Sequence, residues 1–369
     1  MGLNAVDRLV VDTDGVWPLP WLHAAVSDAL ATQKAHALLV HADPGIGALE
    51  FSLTLAQAWL CEQGREGGHQ TGPAGPCGRC ASCRLVQARM HPDLLLLMPE
   101  TLRQSYGWPL LSDKPDNADA EGGKGAKKAS RQIRIDEVRA AVDWMIKTSS
   151  RGGAKVLVLH PADQLNAQAA NALLKRLEEP PAGARIVLTA GDPEHLLPTI
   201  RSRCQRVRLP APAAEVAHHW LEAQGVEGAA VLLAACSGRP LAVLDMVRAG
   251  IDAQAWSALP AQIVLGDAIA CGGWAVAFVV EALMRLCHDA MRVAAGGGAI
   301  YFPADSVPQG LALQRLVAWH AQLLRISRHQ DHPWNDGLLA ETMMIDAHAA
   351  MASAATRRAT PRRLDTLHR

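Results

Sequence analysis

Five short apolar runs punctuate the first 210 residues: Ala37–Val40, Leu94–Leu97, Val156–Leu159, Ile186–Thr189 and Arg206–Leu209. Segments with apolar residues three and four apart separate them. Runs without the period-two alternation of a half-exposed strand suit a parallel sheet covered by helices on both faces. The pattern predicts an α/β domain over residues 1–210. After Pro210-Ala211-Pro212 the strand-like runs stop, and Ala, Leu and Val recur at helical spacing. Ala214–Val247 reads as a small helical domain, placed at 211–252. Three or more longer helices are predicted from about Ala253 to Ala355, within a domain placed at 253–369. In Leu311–Ile326, residues Leu313, Leu316, Val317, His320, Leu323 and Leu324 share one helical face, the pattern of a bundle core.

Two segments fall outside these patterns. Ser112–Arg131 is acidic first (Asp113, Asp116, Asp119, Glu121) and basic later (Lys124, Lys127, Lys128, Arg131), with too little apolar surface to order itself. It is expected to be a flexible insertion. Thr356–Arg369, with five Arg against one Asp, is expected to be a solvated end.

Charge narrows the function classes. The 369 residues carry 36 Lys and Arg against 36 Asp and Glu, so no global positive field draws the chain onto nucleic acid or an anionic membrane. Met1–Gly15 has Asp7, Asp12 and Asp14 and no basic segment followed by an apolar one, so a cytoplasmic protein is expected. The most apolar window, Trp274–Leu286, is interrupted by Glu281 and Arg285 and is shorter than the roughly 20 residues of a membrane span. No membrane partner is expected.

The first strand runs into Ala42-Asp43-Pro44-Gly45-Ile46-Gly47-Ala48-Leu49 and then a helical pattern, the context of a phosphate-binding loop. Against G-x-x-x-x-G-K-[ST], Ala42 stands at the first Gly, Gly47 at the second, Ala48 at the Lys and Leu49 at the hydroxyl residue. Without the Lys no cation meets the β and γ phosphates; without the hydroxyl Mg²⁺ loses its loop ligand. The third strand ends in His160-Pro161, where a nucleotidase of this architecture needs acidic residues to hold Mg²⁺ and orient water. Two catalytic elements are therefore missing. His160 has no Ser, Cys or carboxylate partner nearby in sequence and reads as structural.

The eight cysteines do not read as a disulfide framework. Cys77-x-x-Cys80-x-x-Cys83, with Cys61 fifteen intervening residues earlier, supplies four thiolates, the complement of a closed tetrahedral Zn²⁺ site. A redox dithiol is the competing reading; three clustered cysteines in a Gly- and Pro-rich loop favour zinc. Cys236, Cys271 and Cys287 lie in apolar helical contexts and read as buried small hydrophobes.

Asn166 to Pro181 reads as a capped helix, with Leu173, Leu174 and Leu177 on its apolar face and Pro180 as its stop. Its stretch Asn171-Ala172-Leu173-Leu174-Lys175-Arg176-Leu177-Glu178-Glu179-Pro180-Pro181, followed by Gly191-Asp192-Pro193 and Thr199-Ile200-Arg201-Ser202-Arg203-Cys204, resembles the AAA+ clamp-loader subunits of replicative DNA polymerases, those of bacterial DNA polymerase III in particular. The resemblance is best between His36 and Pro210 and only architectural after Ala253.

It implies an AAA+ module with a parallel five-stranded sheet and a structural zinc module at about 61–93. A small helical lid domain and an all-α collar domain would follow. It also implies a hetero-oligomer with ATPase subunits and a clamp-opening subunit, reaching the sliding clamp and primed DNA through that complex. The chain would bind no ATP and have no ATPase of its own, its only enzymatic attribution being membership of the polymerase holoenzyme. Arg203 would be an arginine finger directed at a neighbour's ATP; the residues alone allow instead an Arg that caps a strand or pairs with Glu178. Thr189 would stand at the γ-phosphate sensor and Arg239 near the second sensor. Cys61, Cys77, Cys80 and Cys83 match the family's zinc ligands, although the Glu62–Pro76 connection exceeds its usual length. An active ATPase subunit of the same family and a stand-alone zinc-containing nucleic-acid-binding protein are the rival expectations.

Overall fold

The computed structural model describes residues 9–32, 35–63, 75–109, 129–267, 269–328 and 335–352. Residues 112–128 of the predicted insertion and the 356–369 tail lie outside the described residues. The chain forms two compact units, Met1–Val216 and Ala217–Arg369. In chain order the elements are α1 (Leu22–Thr32), β1 (Ala37–His41), α2 (Ala48–Leu60), α3 (Ala81–Gln87), β2 (Leu94–Leu97), α4 (Glu100–Tyr106), α5 (Ile135–Ile146), β3 (Lys155–Leu159), α6 (Ala167–Glu178), β4 (Ala184–Ala190), α7 (Pro198–Arg201) and β5 (Gln205–Arg208). They continue as α8 (Ala214–Ala223), α9 (Ala229–Ala235), α10 (Pro240–Arg248), α11 (Ala253–Leu265), α12 (Val276–Ala294), α13 (Leu313–Ser327) and α14 (Asp336–Met351).

The first unit is built on a parallel sheet in the order β2-β3-β4-β1-β5. Its register places Leu39 beside Leu188 and Leu157 beside Ile186. On one face Ala37, Leu39, Leu157, Leu159, Ile186 and Leu188 form a core with Val138, Ala141 and Met145 of α5 and with Leu173 and Leu177 of α6. The alternate residues Leu38, Val40, Val156, Val158 and Val187 are buried as well. Helix α2, which packs along β1, β3 and β4, is itself buried through Phe51, Leu53 and Leu55. Each such Leu or Val contributes roughly 1.5–3 kcal/mol when fully buried. Double burial accounts for the apolar runs, and a parallel five-stranded sheet with flanking helices is the α/β architecture the sequence predicts. Helix α6 begins as expected, with the Asn166 side chain accepting the Ala169 N–H at 2.8 Å.

One strand departs from the pattern. In β5, Gln205, Arg206 and Arg208 are exposed. β5 is an edge strand with polar residues facing water, not a run covered on both faces, and exposed Arg residues suit an edge that must not pair with another chain.

The described regular elements of the second unit are all helices. Helix α13 buries Leu316, Trp319 and Leu323, whereas Leu313 and Val317 remain 46% and 54% exposed. Leu316 and Leu323 of the predicted face are thus buried, while Trp319, outside it, is buried in place of Leu313 and Val317. A buried carboxylate fixes the segment after α12. Asp289 accepts N–H bonds from Ile300 (3.0 Å), Tyr301 (2.8 Å) and Phe302 (2.9 Å), and Phe302 stacks on Trp256 with ring centroids 4.5 Å apart. Asp289→Ala would leave three donors without their acceptor, that of Phe302 buried and the other two partly buried. It is expected to destabilise the second unit by about 3 kcal/mol, measured as a lowered urea midpoint for helical signal.

Candidate functional site

The turn after β1, which the sequence aligns with a phosphate-binding loop, leads directly into α2. Gly45 and Gly47 have φ of 92° and 108°, the left-handed region that favours glycine, and Gly47 is the N-cap of the 13-residue α2. What surrounds that backbone differs from a nucleotide site. Leu49, at the position of the Mg²⁺-binding hydroxyl, is 2% exposed and belongs to the core. Leu19 lies so close to the loop that a Cβ on Gly47 would sit 2.4 Å from its Cδ1. The Trp21 indole donates to the Ile46 carbonyl at 2.9 Å. The chain's own side chains therefore pack against the loop, and the Ala48 methyl offers no charge.

At the carboxyl ends of β3 and β4, His160 Nδ1 and Thr189 Oγ1 are 2.8 Å apart, and the Thr189 hydroxyl also reaches the Leu159 carbonyl at 3.4 Å. Burial lowers the His160 pKa to about 4, so the ring is neutral at pH 7. A neutral imidazole bonded to Thr189 neither holds Mg²⁺ in the manner of a carboxylate pair nor leaves that hydroxyl free for a phosphate. Pro161 follows where the second acidic residue would stand. Arg239 is engaged within the second unit, donating to the Cys236 carbonyl at 2.8 Å and pairing with Glu281 at 3.5 Å.

Arg203 lies between α7 and β5. Its guanidinium meets Glu178 Oε1 at 2.5 Å and donates to the Thr199 carbonyl at 2.9 Å. The pairing with Glu178 that the residues alone allowed is present. The two side chains are 33% and 49% exposed, and an ion pair in that setting is worth only about 0–1 kcal/mol. Little free energy therefore opposes transfer of this cation to a polyanion brought to the surface.

The four cysteines converge as predicted, with all ligating sulfurs within 4.8 Å of one another. Cys77 and Cys83 are separated by 3.9 Å between sulfurs, as are Cys61 and Cys80. Tetrahedral Zn–S bonds of about 2.3 Å require sulfurs about 3.8 Å apart, so the set is spaced for a metal, while a disulfide would need about 2.05 Å. Backbone N–H groups of Arg79, Cys80 and Cys83 point at the sulfurs of Cys77, Cys77 and Cys80, each at 3.4 Å, as donors that steady thiolate ligands. Cys61 ends α2 and Cys80 caps α3. Gly78, at φ 70°, passes so close to the Asp12 carbonyl that a Cβ would sit 1.9 Å from its oxygen. The neighbouring Cys61 thiol and burial push the Cys83 thiol pKa up, and a bound cation supplies the charge that reverses this. Cys204, Cys236, Cys271 and Cys287 are buried. Burial raises their pKa to about 12, 11, 12 and 12, respectively, as befits inert core thiols.

The residues tying the cysteine module to the sheet were not identified from sequence. Arg151 lies 89 positions from Glu62, a pairing without local spacing. The His160–Thr189 bond likewise appears only when β3 and β4 are placed side by side.

The model of the family described as DNA polymerase III, delta subunit, matches residues 22–213. The protein described as DNA polymerase III subunit delta' of Pseudomonas aeruginosa is 33% identical over 240 residues, 64% of this chain and 63% of that protein. Its counterpart in Escherichia coli K12 is 32% identical over 234 residues, 62% of this chain and 60% of that one. The matched part is thus less than two thirds of each relative. A DNA polymerase III gamma subunit-related protein of Thermotoga maritima aligns with 89% of this chain and 99% of its own, at 16% identity and a TM-score of 0.46. Among the described residues no single helix is long and apolar enough to cross a membrane. Because the family model covers more than half of the chain, residues 22–213, the chain belongs to the DNA polymerase III delta subunit family.

Proposed function

We propose that the chain acts as its delta' relatives are named, as a subunit of DNA polymerase III, and specifically as a non-hydrolysing member of its clamp loader. The observation that carries this reading is a nucleotide-binding frame without its chemistry. Ala48 and Leu49 replace the cation and hydroxyl, and His160 and Pro161 replace the acidic pair. Arg203 nevertheless remains at the surface in a weak pair. The subunit presents Arg203 to the ATP of a neighbouring subunit, where a positioned guanidinium stabilises charge on the transferring phosphoryl group. Residues 211–252 serve as a lid domain and 253–369 as a collar that packs with the partners' helices, with exposed Leu313 and Val317 available for that contact. The balanced charge of 36 against 36 fits a cytoplasmic subunit whose clamp and primed DNA contacts are made through the assembly.

In a complex reconstituted with candidate ATPase subunits, Arg203→Ala is expected to assemble normally. It should lower DNA- and clamp-stimulated ATP turnover about tenfold or more; strong arginine fingers contribute about 10³–10⁵, and here only one neighbouring site loses its cation. Unchanged turnover in a normally assembled complex would overturn the finger assignment.

Zinc is the metal proposed for Cys61, Cys77, Cys80 and Cys83, because four sulfur donors at tetrahedral spacing close the coordination sphere and leave no open position for catalysis. Its role is structural. Protein purified without chelator is expected to carry about one zinc per chain, and substitution of Cys80 by Ser should lower that content and the thermal stability together. Stoichiometric disulfides with no metal would instead support the redox reading.

A further inference from the structure

The two halves of the cysteine set are far apart in sequence, Cys61 at the end of α2 and Cys77–Cys83 around the start of α3, and a pair of residues next to the ligands joins them. Ser82, fully buried and adjacent to Cys83, donates through Oγ to Glu62 Oε1 at 3.0 Å, and Glu62 directly follows Cys61. Arg151, from the loop before β3, completes a triangle. Its Nη2 donates to Glu62 Oε1 at 2.6 Å and its Nε to Ser82 Oγ at 3.1 Å. The same loop is anchored to the sheet by Asp93, just before β2. The Asp93 carboxylate is 1% exposed and accepts the Ser149 hydroxyl at 3.0 Å, the Ser150 N–H at 2.8 Å and the Arg151 N–H at 3.1 Å.

We infer that Arg151 is a positioning residue for the metal site: without touching a sulfur, it locks the segment bearing Cys61 to the segment bearing Cys83 through Glu62 and Ser82. The inference rests on the proposal that the four cysteines hold zinc. Two physical points support it. A planar guanidinium donates from two nitrogens in a fixed geometry, so it sets the distance between two acceptors in a way a lysine does not. A zinc ion with four thiolates has a net charge of −2, and a cation one residue beyond the ligands favours that anionic centre. Residues in this position commonly alter metal affinity by about 10–100-fold.

The test is the rate at which zinc leaves the full-length protein for an excess of a chromogenic chelator. Wild type, Arg151→Ala, Glu62→Gln and the control Arg139→Ala are compared, each zinc-loaded; among the described residues Arg139 makes only an exposed pair with Asp136. Arg151→Ala is expected to release zinc about 10–100-fold faster, Glu62→Gln to release it faster by a smaller factor, and Arg139→Ala to match wild type. Co²⁺-substituted Arg151→Ala should keep the absorption bands of a tetrahedral thiolate centre, showing that the ligand set persists while its hold weakens. Release at the wild-type rate by both Arg151→Ala and Glu62→Gln would overturn the inference. If Arg151→Ala does not fold, Glu62→Gln decides alone: faster release supports the lock and wild-type release rejects it. A wild-type protein that binds no zinc would reject the metal assignment on which the inference rests.

Discussion

The double burial of the central parallel strands is the constraint on which the first unit depends. β3 is buried at every residue and β1 and β4 at nearly every one, so polar chemistry is confined to the ends of the strands. In open parallel sheets the carboxyl ends form the crevice where ligands bind. Here that edge carries the Ala42–Gly47 turn after β1, His160 after β3 and Thr189 in β4. In the proposed reading, the packing supplies the framework of a nucleotide site, while Ala48, Leu49, His160 and Pro161 offer none of its chemistry. Leu49, aligned with the magnesium-binding hydroxyl of such a loop, is instead buried in the core.

The two features retained outside that crevice are an exposed cation and a cluster of thiols. Arg203 is held by an exposed ion pair and a carbonyl bond, interactions that set its direction at little cost in free energy to break. The cysteine cluster is held far more firmly, by helix ends, a left-handed glycine and N–H donors to sulfur, and the Asp93–Arg151–Glu62–Ser82 chain links it to the sheet. Rigidity is thus concentrated where a metal would sit, and adaptability where a partner would meet the chain. That division is consistent with the proposed role of a subunit that contributes one charge to a neighbour's reaction.

Much of this was legible in the sequence, for identifiable reasons. Strands buried on both faces leave continuous apolar runs, the Asn166 cap and Pro180 stop bound a helix locally, and a Cys-x-x-Cys-x-x-Cys spacing carries its ligand geometry with it. Features that depend on several elements together were less visible. β5 looked like the other strands until its place at the sheet edge explained Arg206 and Arg208. The buried stripe of Leu313–Ser327 turned on where the Trp319 indole fits, which helical periodicity does not specify. The bonds His160–Thr189 and Arg151–Glu62 join residues 29 and 89 positions apart and arise only from the register and loops of the folded sheet. For Arg203, the residues allowed two roles; the Glu178 pair is present in the isolated chain, and it is weak enough to be compatible with the other.

The central claim is that the nucleotide frame survives without nucleotide chemistry. It is tested most directly by equilibrium titration of the isolated chain with a fluorescent ATP analogue in the presence and absence of Mg²⁺. The account predicts no saturable binding in either condition, since no cation meets the β and γ phosphates and no side chain at the loop ligates the metal. Tight binding that requires Mg²⁺ would contradict it and identify the chain as an active ATPase subunit.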